Sequence, residues 1–193
     1  MSKSNDNKLN LLVILAFIIG IGLACGGGNQ QEEANKVVDE ANKKLEEAKE
    51  LMAKTDARST TLFSVPVQTV AQLNDYKAKM KGEAKSIADD YEKVSNMLKD
   101  VSKKFDDISR MNLVDKYKEY AKIKADEFAK RSEAINIHKG NAQAFVEISE
   151  PKEMFSKFNE NNKKSDSLMK EADDLSSKAK KIEEENKDIF RKL

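Results

Sequence analysis

Apolar residues recur at spacings of three and four along most of the chain, and this heptad pattern constrains the fold more than any other feature. The last segment shows it best, because the row of residues at this spacing, which we call its stripe, alternates steps of four and three residues from Met154 to Leu193. Side chains at that spacing lie on one face of an α-helix and require a partner helix to cover them. The pattern predicts an all-α protein, an elongated antiparallel bundle or coiled coil of three long helices plus one shorter N-terminal helix.

The first two stripes are separated by a segment with a different composition. The first stripe runs from Ala34 to Met52, and the second runs over residues 73–108. Residues 55–67 between them are rich in β-branched side chains and contain Pro66, which disfavour a regular helix. The sequence therefore predicts that 55–67 form a connection after a short first helix.

The remaining boundaries follow from turn and capping residues. Residues 110–112 are the predicted turn after the second helix, and Asn112 is the predicted N-cap of the third. The third helix has two possible ends, because it can stop near Gly140 or continue to Ile148. Pro151 suits the first turn of the fourth helix.

Several polar residues fall on the predicted stripes. Lys124 and Ser132 lie on the third stripe, and Asn161, Ser165 and Asn186 lie on the fourth. Polar residues at seam positions lower stability but can fix the register and orientation of helices. We predict this register role, and the alternative is that they line a polar cavity.

The charge balance limits the possible partners. The chain has 35 basic and 34 acidic residues, interspersed along the helical segments. Nucleic-acid binding requires a basic stripe, so no nucleic-acid partner is predicted. A heptad seam can also be covered by another chain, so we predict a protein partner or self-association through the helical seams.

The chain offers few residues for catalysis. His138 is the only histidine and Cys25 the only cysteine, so one chain cannot build a multi-His metal site. We expect His138 to face solvent near a helix end. The sequence therefore predicts a protein that is not an enzyme, with no catalytic, cofactor-binding or metal-binding residues.

The N-terminus carries the pattern of an export signal. Lys3 and Lys8 precede an uncharged apolar run over residues 11–24, which ends on the small residue Ala24. This run is shorter than the roughly 20 residues that a membrane-spanning helix needs, and its flanks are those of a cleavable signal peptide. We therefore predict that the protein is exported.

The end of this signal resembles the lipobox of bacterial lipoproteins. It consists of Gly22, Leu23, Ala24 and Cys25, and the resemblance implies cleavage before Cys25 and attachment of lipid, including palmitate, to its sulfur. In the lipoproteins that it resembles, Asp after the Cys favours inner-membrane retention in enteric bacteria. Gly26 stands there instead, so the resemblance implies anchoring in the bacterial cell envelope, at the outer membrane or cell surface.

Three regions are predicted: a lipoprotein signal peptide over 1–24, the lipidated Cys25 with a flexible tether over 25–31, and a helical bundle domain over 32–193. This organisation predicts a non-catalytic, membrane-anchored envelope lipoprotein that acts as a helical spacer, scaffold or protein-binding module. The alternative is a carrier that binds an apolar ligand within the bundle.

Overall fold

The computed structural model describes residues 28–64 and 69–190, which contain four helices and no strand. The helices are α1 (Gly28–Phe63), α2 (Val70–Ser109), α3 (Asp115–Glu147) and α4 (Pro151–Glu185). The all-α prediction is therefore confirmed for this part of the chain. Cys25 and the predicted signal peptide lie outside it, and α1 begins within the segment predicted as a tether.

Helix α1 is longer than the sequence predicted. Residues 55–63 continue the helix, and Thr55, Ser59 and Leu62 extend its buried stripe at spacings of three and four. The Thr55 hydroxyl donates to the carbonyl of Leu51 over 2.8 Å, which accommodates a polar β-branched residue within the helix. Packing of this face outweighs weak local propensity. With 36 residues against 33 in α3, α1 is not the shorter helix that was predicted.

The helix starts combine predicted and unpredicted caps. Thr69 begins α2 with a capping box, in which its hydroxyl and the side chain of Gln72 each accept a backbone N–H over 3.2 Å. Pro151 occupies the first turn of α4, as predicted. Val114, not Asn112, is the N-cap of α3, and it makes no side-chain cap hydrogen bond. The turn was therefore located correctly, but its cap was not.

Helix α3 continues through Gly140 and ends at Glu147, so the longer of the two predicted alternatives is right. The N–H of Ile148 closes the helix by donating to the carbonyl of Ala144 over 3.0 Å. Helix α3 packs against both α2 and α4. It consequently buries sixteen residues, whereas α4 buries six.

Each helix packs on its neighbour in the chain, α1 on α2, α2 on α3 and α3 on α4. Ion pairs between α1 and α2 join early residues of one helix to late residues of the other. Lys44 Nζ of α1 lies 2.7 Å from Asp100 Oδ2 of α2, and Arg58 Nε of α1 lies 2.7 Å from Glu83 Oε1 of α2. These contacts mark which residues of the two helices lie side by side.

The hydrophobic core follows the predicted second stripe. Its heptad positions are buried from Ala84 to Ile108, while Tyr76 and Met80 before them are only partly buried. Fully burying a Leu, Ile or Phe side chain contributes about 1.5–3 kcal/mol, so this stripe supplies much of the stability. None of the described helices is long and apolar enough to cross a membrane.

Candidate functional site

Four side chains with polar groups, one from each helix, meet in the interior. We term this arrangement the four-helix layer. Its members are Asp56, Tyr91, His138 and Ser165. The Tyr91 hydroxyl donates to Asp56 Oδ1 over 3.0 Å, and His138 Nε2 lies 3.0 Å from Ser165 Oγ. The centroids of the Tyr91 and His138 rings are 5.8 Å apart. The layer thus connects α1 to α4 through buried or half-buried side chains.

Burial shifts the two titratable ends of the four-helix layer in opposite directions. It lowers the pKa of His138 to about 4, since the imidazolium would lose its hydration. It raises the pKa of Asp56 to about 7, although the hydrogen bond from Tyr91 acts in the opposite direction. At neutral pH, His138 is therefore uncharged and the Asp56 carboxyl is close to the midpoint of its titration.

The position of His138 corrects the prediction that it faces solvent. His138 is buried because it lies three residues after Ile135 and four before Ala142, on a face of α3 that the other helices cover. The neighbouring Lys139 and Gly140 suggested exposure, but neighbours in a helix point about 100° away. Helical periodicity, not the character of adjacent residues, was the useful signal.

A second interior arrangement, the charge cluster, consists of Lys124, Glu127 and Arg131 of α3 with Asp173 of α4. The Glu127 carboxylate is fully buried and accepts hydrogen bonds from Lys124 Nζ and, over 3.0 Å, from Arg131 Nε. Arg131 also donates to Asp173 Oδ1 over 2.9 Å. Burial lowers the pKa of Lys124, against the opposing attraction of Glu127. Each buried charge in the cluster is thus balanced by a neighbour.

Uncharged polar pairs join the same helices. Ser95 and Ser132 each donate to the other's carbonyl, over 3.0 and 2.8 Å, across the α2–α3 interface. Asn161 of α4 donates to Asn141 of α3 over 2.8 Å, and Asn141 donates to Asn162 over 2.9 Å. Such specific pairs are satisfied in only one alignment of the helices. The register role predicted for polar seam residues is compatible with this geometry.

Aromatic side chains cluster where α1 ends and α4 begins, at what we term the tip. Phe63 makes edge-to-face contacts with Phe145 and Phe158, at centroid distances of 5.7 and 5.0 Å. Phe155 lies 6.4 Å from Phe158 and is 58% exposed. The ring contacts of the tip therefore extend from the core to the exposed side chain of Phe155.

The opposite end, which we term the base, lies where α1 begins. Gln30 of α1 accepts a hydrogen bond from the N–H of Asn112 over 2.7 Å. Nearby in the chain, Tyr117 and Tyr120 pack around Phe190, whose ring lies 5.4 and 5.0 Å from theirs. The tip and the base are thus at opposite ends of α1.

The interior polar groups direct their hydrogen bonds at one another, so the chemistry that they offer is the positioning of helices. Within residues 28–64 and 69–190, no group of three or more His, Cys, Asp or Glu side chains is placed to hold a metal ion. A shallow surface depression at the base is lined by Glu183, Glu184, Lys187 and Phe190.

The single site residue predicted from the sequence, Cys25, lies outside the described residues. Sequence reasoning identified Lys124, Ser132 and Ser165 as polar stripe residues but missed Glu127, because a charged residue off the stripe is usually solvated. Comparison of the chain with protein-family models, with curated proteins and with solved structures found no match.

Proposed function

We propose that this protein is a non-catalytic bacterial envelope lipoprotein whose body is an elongated antiparallel helical bundle acting as a spacer, scaffold or protein-binding module. The observation that supports this most directly is the mutual satisfaction of interior polar groups across all four helices. Together these contacts specify one alignment of the four docked helices, and a spacer needs such a defined length. The α1–α2 ion pairs, which join early to late residues, support the antiparallel arrangement.

The proposed anchor defines the orientation of this body. Lipid on Cys25 would enter the membrane, because each buried methylene contributes about 0.8 kcal/mol and two or three chains anchor stably. Cys25 precedes the start of α1, so the base would lie near the membrane. With 36 residues at about 1.5 Å each, α1 spans about 54 Å. The tip, with its exposed Phe155, would then be held away from the membrane where a partner protein could reach it.

Metabolic labelling with palmitate tests the anchor. The full chain is expressed with its signal in a bacterium that processes lipoproteins, beside the variants Cys25→Ser and Asn29→Ser. We expect label and detergent-phase partitioning for the unaltered chain and for Asn29→Ser, and loss of both for Cys25→Ser. Retention of label by Cys25→Ser would show that the lipid is not on this sulfur and would remove the basis for the anchor.

The carrier alternative requires the bundle to open around an apolar ligand. One observation favours it, which is that α4 covers the interior with small residues such as Ser165, Ala172 and Ser176. Thermal melting of the full chain with and without a long-chain fatty acid separates the two functions. A carrier gains stability on binding its ligand, whereas a spacer melts at an unchanged temperature.

A further inference from the structure

Helix α4 fully buries fewer large apolar side chains than α2 does. Its buried residues are Met154, Asn161, Ser165, Ala172, Ser176 and Ala179. Helix α2, by contrast, buries large apolar side chains that include Ile87, Leu98 and Phe105. Because hydrophobic stabilisation is roughly proportional to the apolar area buried, α4 is attached more weakly than α2.

Part of the attachment of α4 is polar, beside the apolar packing of Met154, Phe158 and Ile182 on the core. Ser165 contacts His138, and Asp173, whose side chain is 67% exposed, accepts from Arg131. A hydrogen bond between protein groups contributes little net stability, because water replaces the partner when it breaks. These contacts therefore fix where α4 docks but add little resistance to its release.

The connection to α4 permits such a release. Residues 148–150 join α3 to α4, and Ile148 and Glu150 have extended backbone conformations. The packing of α1 on α2 and of α2 on α3 involves no residue of α4, as the ion pair of Arg58 with Glu83 illustrates. Release of α4 by rotation about this segment also breaks the contact of Phe158 with Phe63 and the packing of Phe190 on α3.

We propose that α4 is a detachable helix that leaves α1–α3 as a unit about residues 148–150, and that His138 takes up a proton when α4 leaves. In the docked state, Ser165 of α4 closes the pocket around the imidazole. When α4 leaves, that side of His138 meets water, which solvates the imidazolium.

The groups that surround His138 are specified by the structure. Tyr91 of α2 and Ser165 of α4 contact the imidazole directly. Asp56 of α1 lies behind Tyr91, whose hydroxyl donates to its carboxyl. Lys139, next to it on α3, pairs with Glu92 of α2 over 2.8 Å. The Asp56 carboxyl hydrogen-bonds Tyr91, and both stay packed when α4 leaves. The titration of Asp56 is therefore the same in the docked and released states.

The proton uptake sets a measurable pH dependence. Burial holds the pKa of docked His138 at about 4, and exposure returns it toward the ordinary value of 6.5. Acid therefore favours the released state as the pH falls through 6.5, and this effect levels off below 4. For these two pKa values, the equilibrium constant for release rises about 20-fold from pH 7 to pH 5.

Hydrogen exchange read by mass spectrometry, on the full chain in detergent micelles, tests the proposal at pH 7 and pH 5. With intrinsic exchange rates corrected for pH, we expect residues 158–178 of α4 to open more often than residues 87–105 of α2. We expect that excess to grow about 20-fold at pH 5. In the variant His138→Gln, which cannot titrate, α4 should still open separately but without the pH dependence, whereas Asp56→Asn should retain it.

The possible outcomes each decide one part of the proposal. Equal protection of α4 and α2 at both pH values would overturn the detachable helix. Separate opening of α4 with no change between pH 7 and pH 5, or with the same change in His138→Gln, would overturn the proton uptake. The unaltered chain alone can refute either part, so the proposal stays open to refutation even if the variant folds poorly.

Discussion

The charge cluster gives the sharpest test of how the interior is stabilised. Changing Glu127 to Gln keeps the size of the side chain but removes the one fully buried negative charge among the described residues, which lies between Lys124 and Arg131. Arg131 retains its contact with Asp173, whereas Lys124 loses the carboxylate that accepts its hydrogen bond. Removing one partner of a buried ion pair costs about 3–5 kcal/mol, because an uncompensated charge remains. For a chain of this size, that corresponds to a fall in melting temperature of roughly 6–20 °C.

Thermal and urea unfolding followed by circular dichroism measure this effect. The matched control is Glu40→Gln, which removes the carboxylate of the Lys104–Glu40 pair on the surface and should leave the melting temperature almost unchanged. Replacing the three cluster residues of α3 together by apolar residues of similar volume should recover most of the loss. If Glu127→Gln melts as Glu40→Gln does, the reasoning that Glu127 balances buried cations is refuted.

Three further changes follow from the structure. Burial raises the pKa of Asp56 to about 7. Between about pH 4 and 7 this carboxyl therefore ionises more readily in the unfolded chain than in the folded one, which favours unfolding. The stability gain of Asp56→Asn over the unaltered chain, read by urea unfolding, should grow over that range. Phe105→Ala should cost about 3–5 kcal/mol in the same assay, because it leaves a cavity, whereas Phe155→Ala at the exposed tip should change stability by about 0.5 kcal/mol or less; equal losses would contradict the assigned core. Thr69→Ala removes the cap hydroxyl of α2 and should cost about 1 kcal/mol, and the absence of any loss would show that the capping box does not stabilise the helix.

The helical architecture was predictable because heptad spacing reports which face of a helix is covered. The predicted end of the first helix was wrong at residues 55–63, where Thr55 and Ser59 occupy seam positions although both have weak helix propensity. Tertiary packing decided that segment, and the spacing of three and four that continues through Leu62 was the signal to follow. Local composition gave the wrong answer there.

The interior site was predictable only in part. Lys124 and Ser132 stood out because they interrupted an apolar stripe, but Glu127 and Arg131 lie beside that stripe, where Arg131 reaches Asp173 of α4. This wider surface is buried because α3 packs against both α2 and α4, and no local pattern shows which helices have two neighbours. The irregular stripe of the third segment was the one indication, since a helix covered on two sides need not confine its buried residues to a single seam.

The packing of each helix on its chain neighbour has a consequence for how the protein folds. Contacts within the helices and between consecutive helices keep most paired residues within the span of two neighbouring helices, so the relative contact order is low. Proteins with this property fold in microseconds to milliseconds. The α1–α2 pair, with its own ion pairs, can form before α4 has been synthesised, so assembly can follow the order of the chain.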